Sequence, residues 1–182
     1  MALIGLHSNW LKGSYKEDRD YIIRIGENDK LYMGVTLAGE SWVFGTKPYN
    51  DGSIAIGYGF DLLANSPGYI AYFLGTIGIS VTATQIKTIQ NKAGGPTIAD
   101  FAFLDLGSEA TARQLMDNVL DSTDTKFKGK QVELESFLGK QGITLRDSKE
   151  KSVLVSMWYQ AASYLGTTSK PSKMVRALQS GN

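Results

Sequence analysis

The sequence has no cysteine, which excludes disulfides, thiolate metal sites and cysteine nucleophiles. It has a single histidine, His7, so a multi-histidine metal centre is excluded, and that residue stands too near the terminus to favour a catalytic base. No apolar run approaches the ~20 residues that a membrane-spanning helix needs. No basic region precedes the short apolar stretch within Met1–Trp10, so the N-terminus does not read as a signal peptide. A basic stripe interleaved with stacking aromatics is also missing, and the net charge is only +1, which argues against a nucleic-acid module. Any chemistry must therefore run on carboxylates, hydroxyls, lysines or backbone groups, and no metal or cofactor is expected.

What is present fits one globular domain over 1–182. The chain has 182 residues, 42% apolar and 20% charged, within the range that one core organises. Charge is unevenly spread. From Lys126 onward ten Lys or Arg stand against four Asp or Glu, a net of +6; before it nine stand against fourteen, a net of −5. Such halves can attract an anionic partner or hold cations, or can simply be solvated helix faces of differing sign.

Ser14 to Ile25 reads as a first helix. Glu17, Asp18 and Asp20 oppose its dipole, Tyr21, Ile22 and Ile25 give one apolar face, and Gly26 terminates it, leaving Glu27 at or just past the end. Lys30 to Leu62 has strand spacing in Leu31, Met33, Val35 and Leu37, with turns at Gly39, Gly45, Pro48 and Asn50-Asp51-Gly52. Ser53 to Phe60 reads as a strand breaking into Gly57-Tyr58-Gly59. Helices are expected over 67–77, 82–93, 108–122, 130–140, 147–164 and 171–179, with Ser108 as an N-cap. The apolar residues Val153, Leu154, Met157, Trp158 and Tyr164 mark the segment from Lys149 as a central buried helix. The layout is α+β: a small antiparallel sheet lobe (14–63 with the first helix) beside a helical lobe (64–182).

Two carboxylates flanking a cleft can hydrolyse a glycosidic bond, one donating a proton and the other activating water or forming a covalent intermediate. Glu27, near a lobe junction, suits the acid role if partly buried; otherwise it is a solvated glutamate at a helix end. Asp51 precedes glycine and can equally cap its own turn. Asp61 can support the turn after Gly59 or face a cleft. Gly57 and Gly59 permit close approach of backbone to a ligand, or mark a bulge.

Gly26-Glu27-Asn28-Asp29-Lys30-Leu31-Tyr32, followed by Asp51-Gly52-Ser53-Ile54-Ala55-Ile56-Gly57-Tyr58-Gly59, resembles the phage-type lysozymes and the related pesticin-like lysozyme domains. Their pattern is a glutamate ending the first helix, a strand region with an aspartate, then Thr-Ile-Gly-x-Gly. The extension through Phe60-Asp61-Leu62 is similar to the pesticin-like form. Lys149 to Gln160 is similar to the family's buried helix, which ends in aromatic-Gln or aromatic-Asn, and Lys173 to Asn182 to the short helix that follows.

The resemblance implies a lysozyme-like fold with a cleft between its lobes, and a muramidase that cuts peptidoglycan glycan strands. Glu27 matches the general acid. The family spacing for the second carboxylate lands near Tyr49, so Asp51 is the nearest candidate and Asp61 the alternative, Asp61 being expected to be mainly structural. Substrate contact is implied for Ser53, Gly57, Tyr58, Gly59 and Gln160. The family threonine that helps hold water falls on Ala55; Ser53, two residues earlier, shares its strand face. Phe60 replaces a histidine of some members. Such an enzyme would be made in a bacterial host cytoplasm and act on the wall after lysis or delivery, or as part of a virion. Family members continue for several more helices, so a partner chain, a virion component or further polypeptide is expected to cover surface near Val155, Trp158 and Tyr159, unless 67–105 and 126–142 fold over it. The alternatives are a non-catalytic module of that fold in a phage tail or secreted effector assembly, and a related glycosidase acting on chitosan or chitin.

Overall fold

The computed structural model describes residues 14–28, 46–48 and 52–180. Its elements run in the order α1 (Tyr15–Asn28), β1 (Thr46–Pro48), β2 (Ile54–Ile56), β3 (Phe60–Asp61), α2 (Pro67–Gly75), α3 (Ala83–Gln90), a 3-10 turn (Ile98–Phe101), α4 (Glu109–Asp121), α5 (Lys130–Lys140), α6 (Lys149–Ala161), a second 3-10 turn (Ala162–Leu165) and α7 (Lys173–Ser180). The class is α+β, with a small antiparallel sheet ordered β1-β2-β3. The strand alternation expected over Leu31–Leu37 lies outside the described residues.

Two compact units emerge, and they do not follow the expected division at residue 63. Residues up to Gly26 join Lys130 and beyond in one unit, while Glu27–Gly129 form the other. The reason is visible in the hydrogen bonds: the start of α1 reaches α5, where Tyr15 Oη donates to Gln131 Oε1 at 3.1 Å and Arg19 Nη1 donates to the same oxygen at 2.7 Å.

In the unit spanning 27–129, β2 pairs Thr46↔Ile56 on one side and Ile56↔Phe60 on the other. Ile54, Ala55 and Ile56 are all buried. Phe60 leads into an aromatic cluster with Tyr69 and Phe73 of α2, ring centroids 6.2 and 6.3 Å away. Ser66 caps α2 by accepting from Tyr69 N, and Pro67 occupies its first turn, where a missing N–H costs nothing. Thr82 and Gln85 form a capping box on α3. At the far end of α3, Gln90 Nε2 donates to the carbonyls of Leu62 and Asn65 at 2.8 and 3.0 Å, tying the helix to the loop after β3. Ser108 caps α4 as expected, and Ala112, Leu115, Met116, Val119 and Leu120 supply its buried stripe at helical spacing.

The unit of α1, α5, α6 and α7 carries an unusual share of polar groups inside. Arg19, Lys151, Ser152 and Ser156 are buried beside Ile23, Leu134, Leu154, Val155, Leu165 and Val175. Lys151 Nζ lies 2.8 Å from both Glu135 Oε1 and Asp147 Oδ1 and 5.0 Å from the Tyr15 ring centroid. Burial alone would push the Lys151 ammonium down, but its hydrogen bonds to Asp147 and Glu135 outweigh that and raise it. The cation is therefore retained by its partners.

Three expectations change here. α1 continues through Gly26 to Asn28, so glycine does not terminate it and Glu27 lies inside the last turn. A single glycine costs about 1 kcal/mol in a helix, too little to stop one that is otherwise supported. Tyr164 is 58% exposed rather than part of the core. α6 tightens into a 3-10 turn at Ala162, and the change from 3.6 to about three residues per turn hands the buried position to Leu165. Finally, Val155 is fully buried within this chain and needs no outside cover. α5 covers α6, with the Phe137 and Trp158 rings 5.0 Å apart and Trp158 Nε1 donating to Glu133 Oε2 at 3.4 Å. Trp158 and Tyr159 are half-buried.

Gly129 is a position in this fold with no room for a side chain. A Cβ there would run into Leu120 O and Ser122 N, both backbone, whereas one at Gly139 on α5 meets open space. Gly129→Ala is expected to destabilise the protein by about 1–3 kcal/mol. Gly139→Ala should instead add up to about 1 kcal/mol, and denaturant melts of the two variants check both signs. A pH prediction follows from Tyr15. Burial pushes its phenol up to about 12, with Lys151 and Arg19 pulling the other way. Because the folded value lies above the ordinary 10.0, stability from this group is complete below pH 10.0 and is lost as pH rises toward 12. Melting temperature should fall across that window, and Tyr15→Phe should flatten the part of the fall due to phenol ionisation.

Candidate active site

The residues singled out by sequence cluster on the hairpin of β2 and β3. Gly57 and Gly59 adopt φ of 62° and 78°, left-handed values that most side chains resist. Between them Tyr58 is turned inward and is only 2% exposed. Its hydroxyl donates to Glu109 Oε1 at 2.9 Å, on the first residue of α4. Arg113, one turn further along α4, donates to the same oxygen from Nε at 3.0 Å and from Nη2 at 2.6 Å. The hydrogen bonds to Glu109 raise the Arg113 guanidinium further above its already high value.

At Gly57 the close approach is made by the protein's own packing. The group that approaches Gly57 closely is Leu106, whose Cδ1 would lie 3.1 Å from a Cβ at position 57, with Ala112 at 3.8 Å. Gly57 and Tyr58 are buried, and Gly59 is half-buried. Ala55 pairs directly with Asp61, so their side chains share a face of the sheet. Ser53 stands just before β2 and is half-buried.

Asp61 holds the turn that follows β3. Its Oδ1 accepts the N–H groups of Leu63 and Ala64 at 2.6 and 2.7 Å, and its carbonyl accepts from Asn65 Nδ2 at 2.8 Å. An aspartate that bonds its own backbone two and three residues ahead is the usual way such a turn is fixed. Glu27 is in the last turn of α1, and its side chain lies outside the described structure; Asp51 lies outside the described residues altogether. Gln160 is exposed near the end of α6, in the other compact unit. The structure thus brings together Ala55, Gly57, Tyr58, Gly59 and Asp61 on one hairpin.

Sequence reasoning missed Glu109 and Arg113. Their i,i+4 spacing at a helix start is a readable ion-pair signal. Nothing local could announce that Tyr58, 51 residues earlier, supplies the third member. Among the described residues no group of three or more His, Asp or Glu converges to hold a metal, and no helix is long and apolar enough to cross a membrane. No family model matches the chain, and no curated protein or solved structure is similar enough to it to show a relationship.

Asp61→Ala removes both acceptor contacts of the turn and is expected to cost about 1–2 kcal/mol. Asp61→Asn keeps a carbonyl oxygen in the same place and should cost less than half of that. Equal losses in thermal melts would mean that the charge, not the turn geometry, is what matters at this position.

Proposed function

We propose that the chain is a lysozyme-like, peptidoglycan-degrading glycoside hydrolase that cuts the glycan strand by carboxylate general acid/base catalysis. One observation carries the reading: among the described residues, a helix whose last turn holds Glu27 comes first, then an antiparallel sheet with a glycine-framed turn at 57–59, and then a series of helices. That is the order of elements implied by the resemblance of Gly26–Tyr32 and Asp51–Leu62 to phage-type lysozymes. Glu27 protonates the leaving glycosidic oxygen, and a second carboxylate assists the attacking water. Asp61 Oδ1 is engaged by two backbone N–H groups, which favours Asp51 for the water side. No cofactor takes part in this scheme. The enzyme would be made in a bacterial host and reach the wall after lysis or delivery.

A second reading has its own support. Ala55 offers no hydroxyl where the family holds water, and it is 2% exposed. This favours a non-catalytic lysozyme-fold module of a phage tail or secreted effector assembly. Turbidity loss of purified peptidoglycan separates the two. The native chain should clear the suspension, and Glu27→Gln, which keeps the side-chain shape but removes the transferable proton, should slow clearing by about 10²–10⁴-fold. A native chain that co-sediments with the wall without clearing it favours the module. Equal clearing by a folded Glu27→Gln protein removes Glu27 from the mechanism.

A further inference from the structure

A hollow of about 490 Å³ opens at the C-terminal ends of α2 and α4, and no part of the proposed chemistry uses it. Tyr72 and Thr76 line it from α2, Asn118 and Asp121 from α4, and Thr123 and Asp124 from the loop beyond. Its volume is within the range of ordinary small-ligand sites.

The lining narrows the ligand. Lys, Arg and His are missing from it, so an anion has no counter-charge. The wall is too polar for a purely apolar guest. One aromatic plane is fixed: the Tyr72 ring lies 4.9 Å from Phe127 and 4.9 Å from Phe73, in a tilted and an edge contact. Around it stand polar groups held in defined orientations. Asn118 Nδ2 donates to Thr76 Oγ1 at 2.8 Å, and Thr76 Oγ1 donates in turn to Phe73 O at 2.6 Å. This leaves the Asn118 carbonyl and its second N–H for a guest. Asp124 uses Oδ1 for the N–H groups of Lys126 and Phe127, both at 2.8 Å, which orients its other oxygen as an acceptor. The Thr123 hydroxyl makes no hydrogen bond among the described residues. A fixed ring bordered by an amide, a hydroxyl and carboxylate oxygens matches a molecule with one C–H face and a rim of O–H and N–H groups. That is the chemistry of a sugar ring.

We propose that this hollow is a saccharide-binding subsite, seating one ring of a glycan chain against Tyr72. Its position suits a polymer. Five residues separate α2 from β3 and α4 starts at the Glu109 that Tyr58 reaches, so both helices run from the hairpin to the hollow. At about 1.5 Å per residue they set the hollow roughly 13–20 Å from that hairpin. The identity of the polymer rests on the hydrolase reading above; the saccharide chemistry of the hollow does not.

The test is an NMR titration of the labelled full chain with a soluble N-acetylglucosamine oligomer. The oligomer should shift the backbone amides of Thr76, Asn118, Ser122 and Thr123 in a saturable manner, and do so equally in Glu27→Gln. Asn118→Ala should weaken this binding by about tenfold, the effect of losing one well-placed polar group. Tyr72→Leu, with an otherwise native spectrum, should abolish it. Because Tyr72 also packs on Phe127, the Asn118 variant keeps the test valid if Tyr72→Leu does not fold. Saturable shifts here in a protein that never cleaves peptidoglycan would support the subsite and remove the hydrolase reading. No shift at these amides, unchanged affinity in Asn118→Ala, or shifts produced by tetramethylammonium and not by the oligomer would each overturn the subsite.

Discussion

Glycine at position 57 lets the β2–β3 hairpin pack closely on its neighbours, and much of the surrounding unit builds on that contact. A Cβ there would press on Leu106 and require a left-handed backbone that side chains resist. With hydrogen in its place, the hairpin lies directly on Leu106 and on Ala112 of α4. The next residue, Tyr58, is then aimed at Glu109, and Phe60 enters the aromatic cluster of α2. Asp61 completes the sequence by fixing the turn that launches α2. Four roles, a close approach, a part-buried hydrogen bond, a ring contact and a turn cap, thus sit within five residues.

The other unit is held by a different device. α6 presents Ser152 and Ser156 inward, side chains small enough to let neighbouring elements approach. Ser152 Oγ satisfies itself by donating to Ser148 O at 3.2 Å, one turn back on the same helix. The space between α1, α5 and α6 is then filled by the long stems of Arg19 and Lys151, whose charged ends find Asp20, Gln131, Glu135 and Asp147. Buried ion pairs of this kind contribute modestly to net stability, since desolvation offsets much of the attraction, but removing one partner is costly. They also restrict which faces can meet, because each charge has its partner only in one arrangement.

Much of this was legible in the sequence wherever the cause is local. The helices from Pro67 onward announce themselves through turn-delimited apolar segments and, for α4, through the Ser108 cap. The β2 strand and its glycine turn were readable from Ile54–Gly59, and Asp61 from its place after that turn. What was not legible depends on residues far apart. The pairing of α1 with α5 joins Tyr15 to Gln131, and no local pattern encodes it. The inward turn of Tyr58 depends on Glu109 in the same way. The exposure of Tyr164 follows from a change of helical pitch that composition does not reveal. The hollow beside Tyr72 is made by two helix ends and a loop, so it exists only once α2 and α4 are packed.

The hydrolase reading stands or falls on which bond is broken. Purified peptidoglycan incubated with the native chain should gain reducing sugar ends in step with loss of turbidity, while the number of free amino groups from its peptides stays constant. Reducing ends would confirm cleavage of the glycan strand. Clearing accompanied by new amino groups and no reducing ends would contradict it, because that product comes from cutting an amide.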